Sequence, residues 1–176
     1  MAESSLKTRL YHKVFQTRWF AIEATTEAYS DSEPYYRLSC SDSAVILGVT
    51  RDKKIILVRQ FRPALGAYTL EFPSGYINDG ESHADAAERE FREETGYVCN
   101  SMTYLGSFTV APSRINTMLH FFFGKDAEPV NGSGAEGEIE VVLVTEDKLK
   151  HLISDGQLLE IAGSAIYLAT KLKGFL

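Results

Sequence analysis

Apolar residues fall along this chain in two rhythms, and the change from one to the other marks the elements. Residues 43–49 (SAVILGV) and 54–61 (KIILVRQF) are short, mostly aliphatic runs, separated by Thr50-Arg51-Asp52-Lys53. Runs of that length divided by a turn-forming tetrapeptide predict a pair of strands. The same reasoning predicts strands at 68–72, 102–111, 116–124 and 138–145. Upstream, residues 14–40 carry aromatic and β-branched side chains broken by Ser-Asp-Ser-Glu-Pro at 30–34, which reads as a hairpin or small sheet with a polar turn. Between 82 and 95 the period becomes helical. Ala84, Ala87 and Phe91 form an apolar stripe, Ser82 with Asp85 resembles a capping box, and Gly96 is placed to end the helix. Pro73-Ser74-Gly75 and Asn78-Asp79-Gly80 announce a structured loop ahead of it. Residues 126–137, rich in Gly, Asn, Ser and Glu, are expected to form a mobile loop, and helices are predicted at 146–154 and 161–173. Strands interleaved with few helices give an α+β class, a mixed sheet sandwiched by helices.

With 176 residues, the chain suits one domain with a real core. Its net charge of −6 argues against a nucleic-acid partner, which would need clustered Lys and Arg to neutralise phosphates. A small phosphate ligand stays open, because a metal ion supplies positive charge locally. Cys40 and Cys99 are far apart and no CxxC occurs, so a zinc site is disfavoured and reduced thiols in a cytoplasm are expected. Met1-Ala2-Glu3-Ser4-Ser5 carries no secretory pattern, and the longest apolar runs, 44–47 and 55–58, are too short to span a membrane.

The candidate chemistry lies on the helix at 82–95. Glu90, Glu93 and Glu94 share one face, with Glu81, Asp85 and Glu88 nearby. Like charges on one face repel and weaken a bare helix. Such a face is most often merely solvated, but the preceding loop changes the balance. Gly75 and Gly80 bracket a short loop ending on Glu81, which lets a backbone carbonyl near Ser74 approach the same cluster. Arg89 reaches Glu93 at i,i+4 as a structural partner. Glu90 and Glu94 remain to converge on a hard cation such as Mg²⁺ or Mn²⁺, which prefers oxygen ligands.

The stretch from Gly75 to Tyr97, GYINDGESHADAAEREFREETGY, resembles the Nudix box, G-x5-E-x7-R-E-U-x-E-E-x-G-U with U bulky and apolar, at every fixed position. This resemblance implies an αβα sandwich and metal-dependent hydrolysis of a diphosphate linked to another group. It implies Glu90 and Glu94 as principal metal ligands, Glu93 as a further ligand or a support through water, and the Ser74 carbonyl as a ligand. Arg89 would orient a glutamate and Gly75 would shape the loop. Bound ions would bridge phosphate oxygens and polarise water for in-line attack.

Outside the box, Val58-Arg59-Gln60-Phe61-Arg62-Pro63 and Glu71-Phe72-Pro73-Ser74-Gly75 are similar to the ADP-ribose pyrophosphatase branch. Pro112, fifteen residues past Tyr97, also matches, although Ser113 stands where that branch often has Gly. Arg18-Trp19-Phe20 through Tyr35-Tyr36-Arg37 resembles the branch's N-terminal subdomain. The implied division is a small N-terminal β subdomain at 1–40, serving dimerisation, and a hydrolase domain at 41–176. Arg62 is the implied diphosphate contact, since a guanidinium fork matches phosphate geometry, with Arg37 and Arg59 weaker candidates. Trp19, or less strongly Tyr36, is the aromatic expected to stack on adenine. Glu71 is placed to assist metals or to hold the loop, against the plainer reading of a strand-end carboxylate paired with an Arg. The general base is expected in the late loop, at Glu138 in preference to Glu136. His12, His83, His120 and His151 receive no catalytic role. The expected substrate is ADP-ribose or a related nucleoside diphosphate sugar, cut to a nucleoside monophosphate and a sugar phosphate. The alternatives are another Nudix substrate or a non-catalytic sensor. A cytoplasmic homodimer, with no nucleic-acid or membrane partner, completes the expectation.

Overall fold

The computed structural model describes residues 10–26, 33–130, 135 and 137–176. Backbone contacts divide the chain into two units. One holds residues up to Ser41 together with Ala111–Thr117; the other holds Asp42–Val110 and Met118–Leu176.

The first unit is an antiparallel three-stranded sheet in the order β1 (His12–Gln16), β2 (Ala21–Thr25), β3 (Tyr35–Ser39). Between β1 and β2 the Thr17 hydroxyl accepts the backbone N–H groups of Trp19 and Phe20, at 3.0 and 3.1 Å, and so fixes the turn. Of the polar turn expected at 30–34, residues 30–32 lie outside the described residues. Ala111–Thr117 joins this unit through the Leu38 N–H, which donates to the Arg114 carbonyl at 2.8 Å. The Arg114 guanidinium also donates to the Tyr36 carbonyl and lies over the Tyr35 ring.

The second unit runs β4 (Ser43–Thr50), β5 (Ile55–Arg62), β6 (Ala67–Glu71), β7 (Ser74–Tyr76), α1 (His83–Thr95), β8 (Tyr97–Val98), β9 (Ser101–Phe108), β10 (Leu119–Pro129), β11 (Glu140–Val144), α2 (Glu146–Ser154) and α3 (Ile161–Leu172). The central order is β11-β5-β4-β10-β8, with β6 on β5, β7 on β4 and β9 on β10. The β4–β10 pair is parallel and the other pairs are antiparallel, so the sheet is mixed. The two-residue alternation of β4 sends Val45, Leu47 and Val49 to one face, where they pack with Leu149, Leu152 and Ile166 of α2 and α3. Ala44 and Ile46 point the other way, to Ala86, Ala87 and Phe91 of α1. Both sheet faces are thus covered by helices, the expected αβα arrangement. Phe91 is fully buried, which contributes about 2–3 kcal/mol. A Cβ on Gly48 of β4 would collide with the Phe91 ring, so the absent side chain is what lets α1 seat closely.

The structure corrects several strand boundaries. β10 begins at Leu119, not 116, and continues to Pro129, so the first four residues of the stretch expected as a loop are strand. Pairing of Ala127 with Thr50 of β4, and of Glu128 and Pro129 with β8, overrides their polar composition. A bulge between Lys125 and Ala127 absorbs Asp126, whose φ of 52° lies in the left-handed region. Residues 131–134 and 136 of that stretch lie outside the described residues. β9 stops at Phe108, not 111, and Ser74–Tyr76, expected as loop, pairs with β4. Among the described residues no helix is long and apolar enough to cross a membrane.

Candidate active site

The ends of α1 are set by their own residues. The Ser82 hydroxyl accepts the Asp85 N–H at 3.1 Å and donates to the Asp85 carboxylate at 2.7 Å. At the other end Gly96 adopts a φ of 71°, and its N–H donates to the Arg92 carbonyl at 2.8 Å. With Ala86, Ala87, Phe91 and Thr95 buried, the acidic side chains of the helix fall to its other faces.

Arg89 is the hub of these acids. Its Nε and Nη2 donate to the two oxygens of Glu81 at 2.7 and 2.8 Å. Its Nη1 donates to Glu90 at 2.6 Å and to Glu93 at 3.1 Å, and Nη2 also donates to the Tyr76 carbonyl at 2.9 Å. One guanidinium therefore ties the loop after β7 to the helix. The Arg89 hydrogen bonds, helped by the Asn78 N–H, hold the Glu81 carboxyl at about 2. For Glu90, burial raises the carboxyl above its ordinary range, and Arg89 only partly offsets this.

Glu94 accepts the Ser74 N–H at 2.8 Å. Burial pushes its carboxyl up to about 7; the Ser74 N–H opposes that rise and the negative charge of Glu90 adds to it. Gly75 follows Ser74 on β7, and the space its Cβ would take is filled by the Glu90 carboxyl. The backbone of Ser74–Gly75 thus meets both carboxyls, Glu94 through the Ser74 N–H and Glu90 because Gly75 carries no side chain. Beside them, Arg62 Nε donates to Glu71 Oε1 at 2.9 Å, and Nη2 donates to Oε2. The Thr69 hydroxyl donates to the same carboxylate at 2.6 Å. Burial presses the Glu71 carboxyl upward, and these partners outweigh it and leave the carboxyl below its ordinary range.

One acid of this neighbourhood escaped the sequence reading. Glu160 is the N-cap of α3 but makes no capping bond with its side chain. Its Oε2 is buried with no hydrogen-bond partner among the described residues. Burial, then the charge of Glu71, raises its carboxyl, and Arg62 draws it back. In sequence it reads only as an acid ahead of an apolar helix.

Among the described residues no group of three or more His, Cys, Asp or Glu side chains is already arranged to hold a metal ion. The donor set nonetheless fits a hard divalent cation. Glu90 and Glu94 are acids with raised proton affinity that repel each other, and an oxygen-bearing backbone runs beside them. Glu93 is half exposed, and Glu138 is exposed in the turn before β11. Glu136 lies outside the described residues. Arg59 is paired with Glu140 at 3.0 Å and lies over Tyr68. Trp19, Tyr36, Arg37 and Pro112 all belong to the first unit. Trp19 is 56% exposed, with the Arg18 guanidinium 4.4 Å over its ring, so it is not a core residue of the chain. Tyr36 and Pro112 are exposed, and Arg37 is paired with Glu23 at 2.8 Å and lies over Tyr11.

The family model described as the NUDIX domain matches residues 41–160. The chain is 30% identical over 128 residues to the ADP compounds hydrolase NudE of Escherichia coli (strain K12), covering 71% of this chain and 69% of that protein. It is 34% identical over 112 residues to the ADP-ribose pyrophosphatase of Bacillus subtilis (strain 168), covering 61% and 60%. A crystal structure of an ADP compounds hydrolase shares the fold with a TM-score of 0.77 at 24% identity, over 98% of this chain and 99% of that one. For several curated relatives the matched stretch spans less than two thirds of the relative's length.

Proposed function

This chain belongs to the NUDIX domain family, and from that premise we propose that it hydrolyses the diphosphate bond of ADP-ribose or a related nucleoside diphosphate sugar, releasing a nucleoside monophosphate and a sugar phosphate. The observation that carries the reading is the pair Glu90 and Glu94 set against the backbone of Ser74 and Gly75. Relatives named for ADP compounds and ADP-ribose supply the substrate class.

Nudix hydrolases generally need a divalent metal ion; here Mg²⁺ or Mn²⁺ is the proposed species. Glu90, Glu94 and the Ser74 carbonyl would hold it, with Glu93 as a further ligand or a support through water. When bound, such an ion neutralises phosphate oxygens and makes water a better nucleophile. The chain's own residues do the rest. Arg89 limits the rotation of Glu90 and Glu93 by holding both from one guanidinium. The Ser74 N–H fixes the direction of the Glu94 carboxyl. Arg62 has Nε and Nη2 committed to Glu71, so its Nη1 donors are what would meet a diphosphate oxygen. Glu138, exposed and next to β11, is the proposed acceptor of the proton from attacking water. Trp19, Tyr36, Arg37 and Pro112 are the proposed contacts for the rest of the substrate, and residues 1–40 the proposed dimerisation element.

A panel of nucleoside diphosphate sugars, offered with Mg²⁺ and with Mn²⁺ and read by mass spectrometry, tests the proposal. ADP-ribose is expected to give AMP and ribose 5-phosphate. Absence of turnover across the whole panel, with the metal-loaded protein shown to be folded, overturns it.

A further inference from the structure

α3 carries apolar side chains on two sides. Inward, Ala162 and Ile166 are buried in the core with Phe72, Leu149 and Leu152. Lys171 and the Tyr167 hydroxyl fasten the helix to α2 through the Glu146 carboxylate, at 3.0 and 2.9 Å. Outward, Ile161, Leu168 and Leu172 stand 66%, 57% and 79% exposed, with the half-buried Ala165 among them. Helical rotation brings these four positions within about 60° of one another, so they form a single stripe. Leu159, just ahead of the helix, is exposed as well.

One apolar face is enough to seat a surface helix, and a second one asks for a second neighbour. The steps along the stripe are four, three and four residues, the spacing of a two-helix seam. The stripe also reads the same from both ends. Against an antiparallel copy of itself, related by a two-fold axis, Ile161 meets Leu172 and Ala165 meets Leu168, and the same pairs recur across the axis. Small then faces large in the middle, as interlocking side chains require. A parallel pair would set Ala165 on Ala165 and leave a void. No charged residue interrupts the stripe. Covering it on two copies, with Leu159, removes on the order of 1,000 Å² of surface, the least that a specific contact buries.

We propose that the outward face of α3 is a self-association surface, and that its occupant is a second copy of this chain docked antiparallel through Ile161, Ala165, Leu168 and Leu172. The contact is separate from the dimerisation proposed for residues 1–40. It adds its own doubling to whatever association that element brings.

Sedimentation velocity on the intact protein at micromolar concentration tests the contact. The native chain is expected to weigh twice as much as Leu168→Glu, which would put an unpaired charge from each copy into the seam. Leu172→Glu, at a still more exposed position, is expected to halve the mass too, with circular dichroism showing that each variant is folded. Equal masses for the native chain and the folded variants overturn the pairing. Binding of the native chain, and not of Leu168→Glu, to phosphatidylcholine vesicles would then assign the stripe to a membrane. Disulfide trapping tests the register. Ile161→Cys and Leu172→Cys chains, mixed and mildly oxidised, are expected to join through the two introduced thiols, as read by mass spectrometry of proteolytic peptides. Neither chain is expected to join to itself at that position, because like positions lie about 16 Å apart along the paired helices. Absence of the mixed product, or self-joining at either position, overturns the antiparallel arrangement. Neither readout needs substrate, so their failure and the failure of the hydrolase proposal are separable.

Discussion

At Gly75 a methyl group would occupy the space of the Glu90 carboxyl, the far end of a flexible side chain. The fold yields cheaply there while the acid is displaced. Gly75→Ala is expected to lower Tm by less than about 4 °C. It is also expected to raise the metal concentration for half-maximal activity about tenfold or more. An unchanged metal titration would count against Glu90 as a ligand. Gly48 gives the opposite balance, since its added Cβ meets the Phe91 ring inside the core. Gly48→Ala is expected to cost about 1–3 kcal/mol in urea denaturation. Glu94→Gln keeps the shape of the side chain and removes its charge. With circular dichroism unchanged, kcat is expected to fall at least about a hundredfold at saturating Mg²⁺, and near-normal turnover would refute its role. The spacing of Arg89 and Glu93 in sequence announced their contact, because i,i+4 neighbours meet on any helix. The stronger ties of Arg89 to Glu81 and the Tyr76 carbonyl cross a loop whose path helical spacing does not give. Glu160 reaches the Arg62–Glu71 pair only through tertiary packing, and so was illegible.

Among the elements, α1 was the most legible, since its cap, its stripe and its terminal glycine all indicate the same helix. Ser82→Ala removes the cap hydrogen bond and is expected to cost about 1 kcal/mol, seen as a lower Tm. The short strands were hidden for a physical reason. β7 has three residues and β8 two, fewer than a two-residue alternation needs to declare itself. The polar end of β10 was hidden for another. Its backbone is claimed by neighbours on both sides, which composition cannot register.

For the molecule as a whole, charge and pH decide more than any single contact. Glu81 and Glu71 both titrate below their ordinary range when folded. Their stabilisation is present above a pH of about 4.5 and is lost as pH falls, for Glu81 toward about 2. The raised carboxyls of Glu90, Glu94 and Glu160 act in the opposite sense and have regained their stability by a pH of about 4.5, so urea midpoints are expected to drop between about pH 4.5 and pH 3. Glu81→Gln should begin lower at the upper end of that interval and lose less over it; an equal loss would deny the pair its part. The αβα layering was legible mainly through the resemblance of residues 75–97, because no local pattern says which strands run parallel.

That parallel pairing has a kinetic side. Leu119 of β10 lies beside Ser43 of β4, and every acid on α1 falls in the stretch of chain between them. Contacts so distant along the chain close late, since a long loop must lose its freedom before the pairing returns any stability. A ribosome that has extended the chain as far as Val110 has already built in all the acids of α1, yet the strand that completes their platform has still to be synthesised. Assembly of this site during translation must wait for β10.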